Sequence, residues 1–227
     1  MAQDVARSTD EQASDILLRR APGSKRLVIA FGGLRGAIGM PPFEFLRSLD
    51  DLRLNRVFLR DPEQAWYHRG VEGVGPDIDS VAARLREVAA EMEAIFTIGN
   101  SAGGFGALLF GALLSCEVHA FSPQTYIDPD LREANDDTRW EKLVRRLGDD
   151  MEPRYADLRP VIAASEAKCH LYYPTQIRLD VVHAEHLGTL PHVTLHPIDS
   201  DDHTVIRELR DSGWLAGLLR RIADPAA

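Results

Sequence analysis

Residues 95–111 read IFTIGNSAGGFGALLFG: an apolar, β-prone run, then Ser101 with glycine two places before it and two places after it, then small and apolar residues suited to a helix. Where a strand bends into a helix at a single residue, the positions two before and two after that residue crowd each other across the turn, so neither tolerates a side chain. Gly99 and Gly103 hold those positions. The bend strains the backbone of Ser101 and pushes its hydroxyl into the open. The amides at the start of the helix, from Ala102 onward, point at the same spot and would stabilise negative charge there.

The flanking chain alternates strand and helix signals. An edge strand is expected at Ile16–Leu18, protected by Arg19 and Arg20. A continuous apolar run, the pattern of a strand buried on both faces of a parallel sheet, follows at Leu27–Phe31, and further strands are expected at Arg56–Leu59, Val118–Phe121, His170–Tyr173 and Val193–Leu195. Helices are expected after Pro41-Pro42 (Phe43, Leu46, Leu49, Leu52), from an Asp77 cap (Ile78, Val81, Leu85, Val88, Met92), from about Asp180 to Leu187, and from Val205 to Ile222, where Gly213 weakens continuity. Residues 126–166 carry no strand signal and read as a small helical cap-like insertion. The expected fold class is α/β, a mostly parallel central sheet with helices on both faces. Residues 1–12 are a polar tail and 13–227 a single domain.

At 227 residues the chain can bury a core without disulfides or metal. Its net charge of −9, with basic residues dispersed, disfavours nucleic acid and anionic membranes as partners. The most apolar stretch, Phe105 to Leu114, is about half of a roughly 20-residue membrane span. The N-terminus lacks the basic start and apolar core of a secretory signal, so a cytoplasmic location is expected. Cys116 and Cys169 have no CxxC spacing and read as buried free thiols.

Ligands of parallel sheets bind at the carboxyl ends of the strands. Ser101 lies on that rim, together with the Gly32–Gly36 loop, Asp61, Ser122 and the loops after Tyr173 and Leu195. Ser101 reads as a nucleophile or as a helix cap, and glycine on both sides favours the nucleophile. A serine nucleophile needs a base, usually histidine. His203, after the last strand in the run Asp199-Ser200-Asp201-Asp202-His203, is that base or a surface residue at a helix start. Arg35 would clamp a substrate anion or simply be solvated. Trp66 and Tyr67, with Phe105, would line the acyl side of a pocket or pack in the core.

With the elbow, the alternation and the terminal histidine together, the chain from about Leu27 to Ile222 resembles the α/β-hydrolases, serine hydrolases whose triad runs nucleophile, acid, histidine. The resemblance implies Ser101 as nucleophile and His203 as base. It implies an acid after the strand ending near Tyr173, which is Asp180, with Asp128 as the backup position. It also implies an oxyanion hole from the Ala102 amide and the amide of Gly33 or Leu34. The implied activity is cleavage of a carboxylic ester or thioester of a small molecule through an acyl-enzyme. Acyl transfer to a sugar or other alcohol and a non-catalytic binding protein are the alternatives. No cofactor is implied. A metal site at His183 and His186 with His170 or His192 is disfavoured, because HxxH lacks zinc-protease spacing. GNSAGGFG does not contain the dinucleotide pattern G-x-G-x-x-G.

Overall fold

The computed structural model describes residues 14–34 and 43–224. Seven strands, β1 (Ile16–Arg19), β2 (Arg26–Phe31), β3 (Asn55–Leu59), β4 (Ala94–Asn100), β5 (Glu117–Phe121), β6 (Lys168–Pro174) and β7 (Val193–Ile198), form one sheet in the order β1-β3-β2-β4-β5-β6-β7. β1 runs antiparallel to β3 and every other pair is parallel. The continuous apolar run of β2 is explained by the two cores: Leu27, Ile29 and Phe31 enter the core on one face, and Val28 and Ala30 the core on the other. A strand covered on both faces has no place for polar alternation.

Among the described residues the α-helices are α1 (Leu46–Leu49), α2 (Ile78–Ala89), α3 (Ala102–Leu114), α4 (Pro129–Ala134), α5 (Glu141–Leu147), α6 (Pro153–Ala156), α7 (Leu158–Ala163), α8 (Arg178–Leu187), α9 (Val205–Asp211) and α10 (Trp214–Ala223). α2 and α3 cover one face; α1, α9 and α10 cover the other. The Asp77 cap is present, its carboxylate accepting from the Ser80 amide at 2.8 Å. The expected final helix is broken in two at Gly213, whose φ of 80° is left-handed. The helix expected to run from Pro41 to Leu52 is a single turn, because Phe45 at φ 61° interrupts it; Pro41 and Pro42 lie outside the described residues. So does the expected tail, 1–12.

The insertion folds as four short α-helices and a 3-10 turn at Gly148–Asp150. Its Leu147, Tyr155, Leu158 and Ile162 are buried in the same core as α3, so this segment is continuous with the body of the domain. Cys116 and Cys169 are buried and free. Among the described residues, no helix is long and apolar enough to cross a membrane.

Candidate active site

β4 delivers the chain to the carboxyl rim and α3 takes it straight back down the sheet, with Ser101 alone making the turn at φ 55° and ψ −117°. A β-carbon on Gly99 would lie 2.0 Å from the Gly103 carbonyl oxygen, and one on Gly103 would lie 2.3 Å from the Phe31 carbonyl oxygen. Neither contact is possible, so the glycines are requirements of the bend and of the packing of α3 against the end of β2. The Ser101 amide donates to the Phe121 carbonyl at 2.8 Å, tying the elbow to β5.

The hydroxyl of Ser101 lies 3.0 Å from Nε2 of His203, and Nδ1 of His203 lies 2.7 Å from Oδ2 of Asp180. The three residues come from the turn after β4, the first turn of α8 and the loop after β7. A carboxylate only accepts, so Nδ1 carries the proton toward Asp180 and Nε2 is left to accept from the serine. Asp180 is 1 % exposed and His203 38 % exposed, so the acid is shielded while the imidazole faces solvent.

Asp180 is held in turn by a residue that nothing local in the sequence marks. Nη1 of Arg139 donates to Oδ1 of Asp180 at 2.8 Å. The same guanidinium donates to both oxygens of Asp137, at 3.1 and 3.2 Å. Burial pushes the Asp137 carboxyl up, but hydrogen bonds from His183 and Arg139 and the arginine charge outweigh it and hold the group far below the usual carboxylate range. Arg139 lies in the insertion, 41 residues before Asp180, so no spacing or periodicity could have found it.

Asp128, the alternative acid, is a helix cap: its carboxylate accepts from the Leu131 amide at 3.0 Å at the start of α4. The Gly33 amide is engaged, donating to Oε1 of Glu44 at 3.0 Å. Burial raises the Glu44 carboxyl to about 7, opposed by that same hydrogen bond. Leu34 is buried, and its carbonyl accepts from the Gln64 side chain. Ala102 opens α3, where its amide has no preceding turn to bond. Arg35 lies outside the described residues.

Trp66 and Tyr67, expected to line a pocket or pack in the core, are packed in the core. Both are fully buried in the core over α3; the Trp66 indole donates to the Gln124 side chain and the Tyr67 hydroxyl to the Gly32 carbonyl. Their backbones turn at φ 49° and 67°, around Asp61, whose carboxylate accepts from the Ala65 and Tyr67 amides. That turn aims both rings inward. Phe105 is buried as well.

The histidines considered as metal ligands are dispersed. His183 is buried between the Thr125 amide and Asp137, His186 bonds Asp157, His192 bonds the Ile162 carbonyl, and His170 bonds His196. Among the described residues, no three His, Cys, Asp or Glu side chains are grouped so as to hold a metal ion.

No protein-family model matches the sequence, and no curated protein does. Solved structures do resemble it. The capsule O-acetyltransferase of Neisseria meningitidis serogroup A superposes with a TM-score of 0.65 at 14% identity, over 90% of this chain and 90% of that one. A 2,6-dihydroxy-pseudo-oxynicotine hydrolase gives a TM-score of 0.65 at 17% identity, covering 93% of this chain and 65% of the hydrolase. A lipase-esterase related protein from Clostridium acetobutylicum gives 0.55 at 14% identity, over 91% and 98%. At these identities the likeness is one of architecture, and it agrees with the strand order, the elbow after β4 and the layers of helices. The chain has the α/β-hydrolase fold.

Proposed function

We propose that this protein is a serine hydrolase that cleaves a carboxylic ester or thioester of a small molecule through an acyl-enzyme on Ser101. One observation carries the reading: a strained serine at the head of a helix, within 3.0 Å of an imidazole whose other nitrogen is 2.7 Å from a buried carboxylate. A helix cap needs none of the last two contacts, and Ser101 makes no side-chain capping bond.

In this reading Nε2 of His203 takes the hydroxyl proton as Oγ of Ser101 bonds to the carbonyl carbon. The carbonyl π pair moves onto oxygen, and the amide of Ala102, with that of Leu34, receives the oxyanion; the Gly33 amide is already engaged by Glu44. Asp180 holds the imidazole in the required tautomer and stabilises its positive charge. Collapse breaks the bond to the leaving alcohol or thiol, which takes the proton from His203. Water then attacks the acyl-enzyme by the same route and releases the acid. No step calls on a cofactor.

Acyl transfer to a sugar or other alcohol differs only in which hydroxyl attacks the acyl-enzyme. It is kept as a second reading because a capsule O-acetyltransferase superposes over 90% of both chains. Labelling with a fluorophosphonate probe tests the proposal: wild type is expected to label and Ser101→Ala to lose the label. Equal labelling of the two, or none in either, would leave a binding protein of the same fold. Added alcohols that divert product from free acid to new ester would select transfer over hydrolysis.

A further inference from the structure

Asp180 and His183 stand three residues apart on α8, while Asp137 and Arg139 stand two apart in the insertion. Their four side chains close a ring. Nη1 of Arg139 donates to Asp180 at 2.8 Å, its Nε and Nη2 grip the two oxygens of Asp137 at 3.1 and 3.2 Å, and Nε2 of His183 lies 3.1 Å from Oδ2 of Asp137. The helix joins the two ends, since side chains at i and i+3 share a face. Burying charges merely to fasten a loop is costly, because apolar residues of similar volume would hold it as well or better.

The charges in the ring follow from its donors. The Thr125 amide donates to Nδ1 of His183 at 3.0 Å, so that nitrogen accepts and Nε2 carries the proton toward Asp137. His183 is therefore neutral, and burial, which lowers its affinity for a second proton, keeps it so. Asp137, whose side chain is fully buried, stays ionised between Arg139 and a second arginine, Arg132, at 3.7 Å. Two carboxylates, Asp137 and Asp180, thus balance two guanidinium groups.

An arginine bonded to the acid of a triad carries a cost. Asp180 helps by setting negative charge beside the imidazolium that forms on His203, and a guanidinium 2.8 Å from the same carboxylate opposes that charge. We infer that Asp137 is a positioning residue for the acid: its two-oxygen grip aims Arg139 at Asp180, and its charge offsets the guanidinium so that Asp180 keeps its negative field at His203. The inference rests on Ser101, His203 and Asp180 acting as the proposed triad. It adds how the acid can be pinned by a cation without being neutralised. His203 faces Ser101 and Asp180, and its own loop carries Asp199, Asp201 and Asp202, all exposed. Asp137 faces Arg132, Arg139 and His183, on which the Tyr126 ring stacks, and Arg178 at the start of α8 donates to the nearby Asn135 carbonyl.

The test is the pH dependence of kcat/KM for p-nitrophenyl acetate in wild type, Asp137→Asn, Asp137→Glu and Arg139→Gln. Activity falls on the acid side where a protonated His203 can no longer accept the serine proton. Asp137→Asn should move the midpoint of that fall to lower pH by about half a unit to one unit. It should also lower kcat by about three- to tenfold, the same loss felt by the imidazolium in the transition state, with KM little changed. Arg139→Gln keeps a donor for Asp180 but removes the positive charge, so its midpoint should move to higher pH. Asp137→Glu keeps the charge and should keep the wild-type midpoint. Midpoints that stay put in both Asp137→Asn and Arg139→Gln, or that move the same way, would reduce the ring to a latch and overturn the inference. NMR titration of the His203 imidazole, assigned by its loss in His203→Gln, reads the same midpoints without turnover. If no ester is cleaved the hydrolase reading fails, and the NMR midpoints still decide the charge balance. Should circular dichroism show Asp137→Asn unfolded, Arg139→Gln decides: an upward shift upholds the inference, and none or a downward one overturns it.

Discussion

Arg139 and Asp180 form an ion pair at 2.8 Å that joins the insertion to the rim carrying Ser101: Arg139 takes one oxygen of Asp180 while His203 takes the other. Asp180 is 1 % exposed, so each of its oxygens depends on a protein donor. Replacing Arg139 by Ala leaves one oxygen buried and unpaired and frees the carboxylate to rotate away from the imidazole. Losing a charged hydrogen bond of this kind is worth roughly 1.5–3 kcal/mol, which corresponds to a loss of about 10- to 100-fold in kcat. Steady-state hydrolysis of p-nitrophenyl acetate should show that loss, with Arg139→Lys intermediate. Full activity in Arg139→Ala would mean that Asp180 is positioned by its helix alone.

The backbone of Ser101, at φ 55° and ψ −117°, sits where only glycine is comfortable. Such strain costs on the order of 1–3 kcal/mol. Ser101→Gly is therefore expected to abolish fluorophosphonate labelling and raise stability to chemical denaturation by about 1 kcal/mol, after the entropic cost of glycine. Ser101→Ala keeps the strain and should stay near wild type in stability. A Ser101→Gly protein no more stable than Ser101→Ala would refute the strain.

Gly99 has no room for a methyl group, since its β-carbon would stand 2.0 Å from the Gly103 carbonyl oxygen. The obstacle is backbone, which cannot swing aside as a side chain could. Gly99→Ala should destabilise the fold by more than about 3 kcal/mol, among the larger effects of single substitutions. Urea unfolding would measure it, and a change under about 1 kcal/mol would contradict the elbow geometry.

Burial lowers His68 to about 4 from an ordinary value of 6.5. His170 and His196 are lowered too, first by burial and then by neighbouring histidines, and His183 by burial. Between the two values the unfolded chain binds protons that the folded chain refuses. The stability is fully present above about pH 6.5 and is lost as pH falls toward 4. His68 alone should remove about 2 kcal/mol by pH 5. Tm measured from pH 7.5 to 5 should fall steeply, and less steeply in His68→Gln.

Glu44 behaves in the opposite sense. Its carboxyl, raised to about 7, is protonated below that pH and ionised above it, and it accepts from the amide of Gly33, the residue before the Leu34 whose amide is proposed for the oxyanion. A negative charge there opposes the developing oxyanion. The kcat/KM of wild type relative to Glu44→Gln should therefore decline as pH rises through about 7, and a flat ratio from pH 6 to 8.5 would remove Glu44 from the electrostatics of the site.

The amino-acid sequence by itself determined the parts of this protein that rest on local rules. The strands expected at Leu27–Phe31, Arg56–Leu59, Val118–Phe121, His170–Tyr173 and Val193–Leu195 are present, and burial on both faces leaves its signature most clearly along β2, whereas β7 at the sheet edge has no buried residue. The elbow was legible because its steric demand acts within two residues of Ser101. Ser101 was nameable from the bend and His203 from its place after the last strand, while Asp180 was named only through the resemblance to the α/β-hydrolases, whose triad order it fits. Only the tertiary structure decided that they lie within hydrogen-bond distance, and only it decided what surrounds them. Trp66 and Tyr67 were ambiguous as rim aromatics, since the left-handed turn around Asp61 that buries them has no composition of its own. Arg139 on Asp180 and Glu44 on the Gly33 amide bring together residues from separate segments. Contacts of that kind are set by where the sheet places its loops, and sequence periodicity carries no record of them.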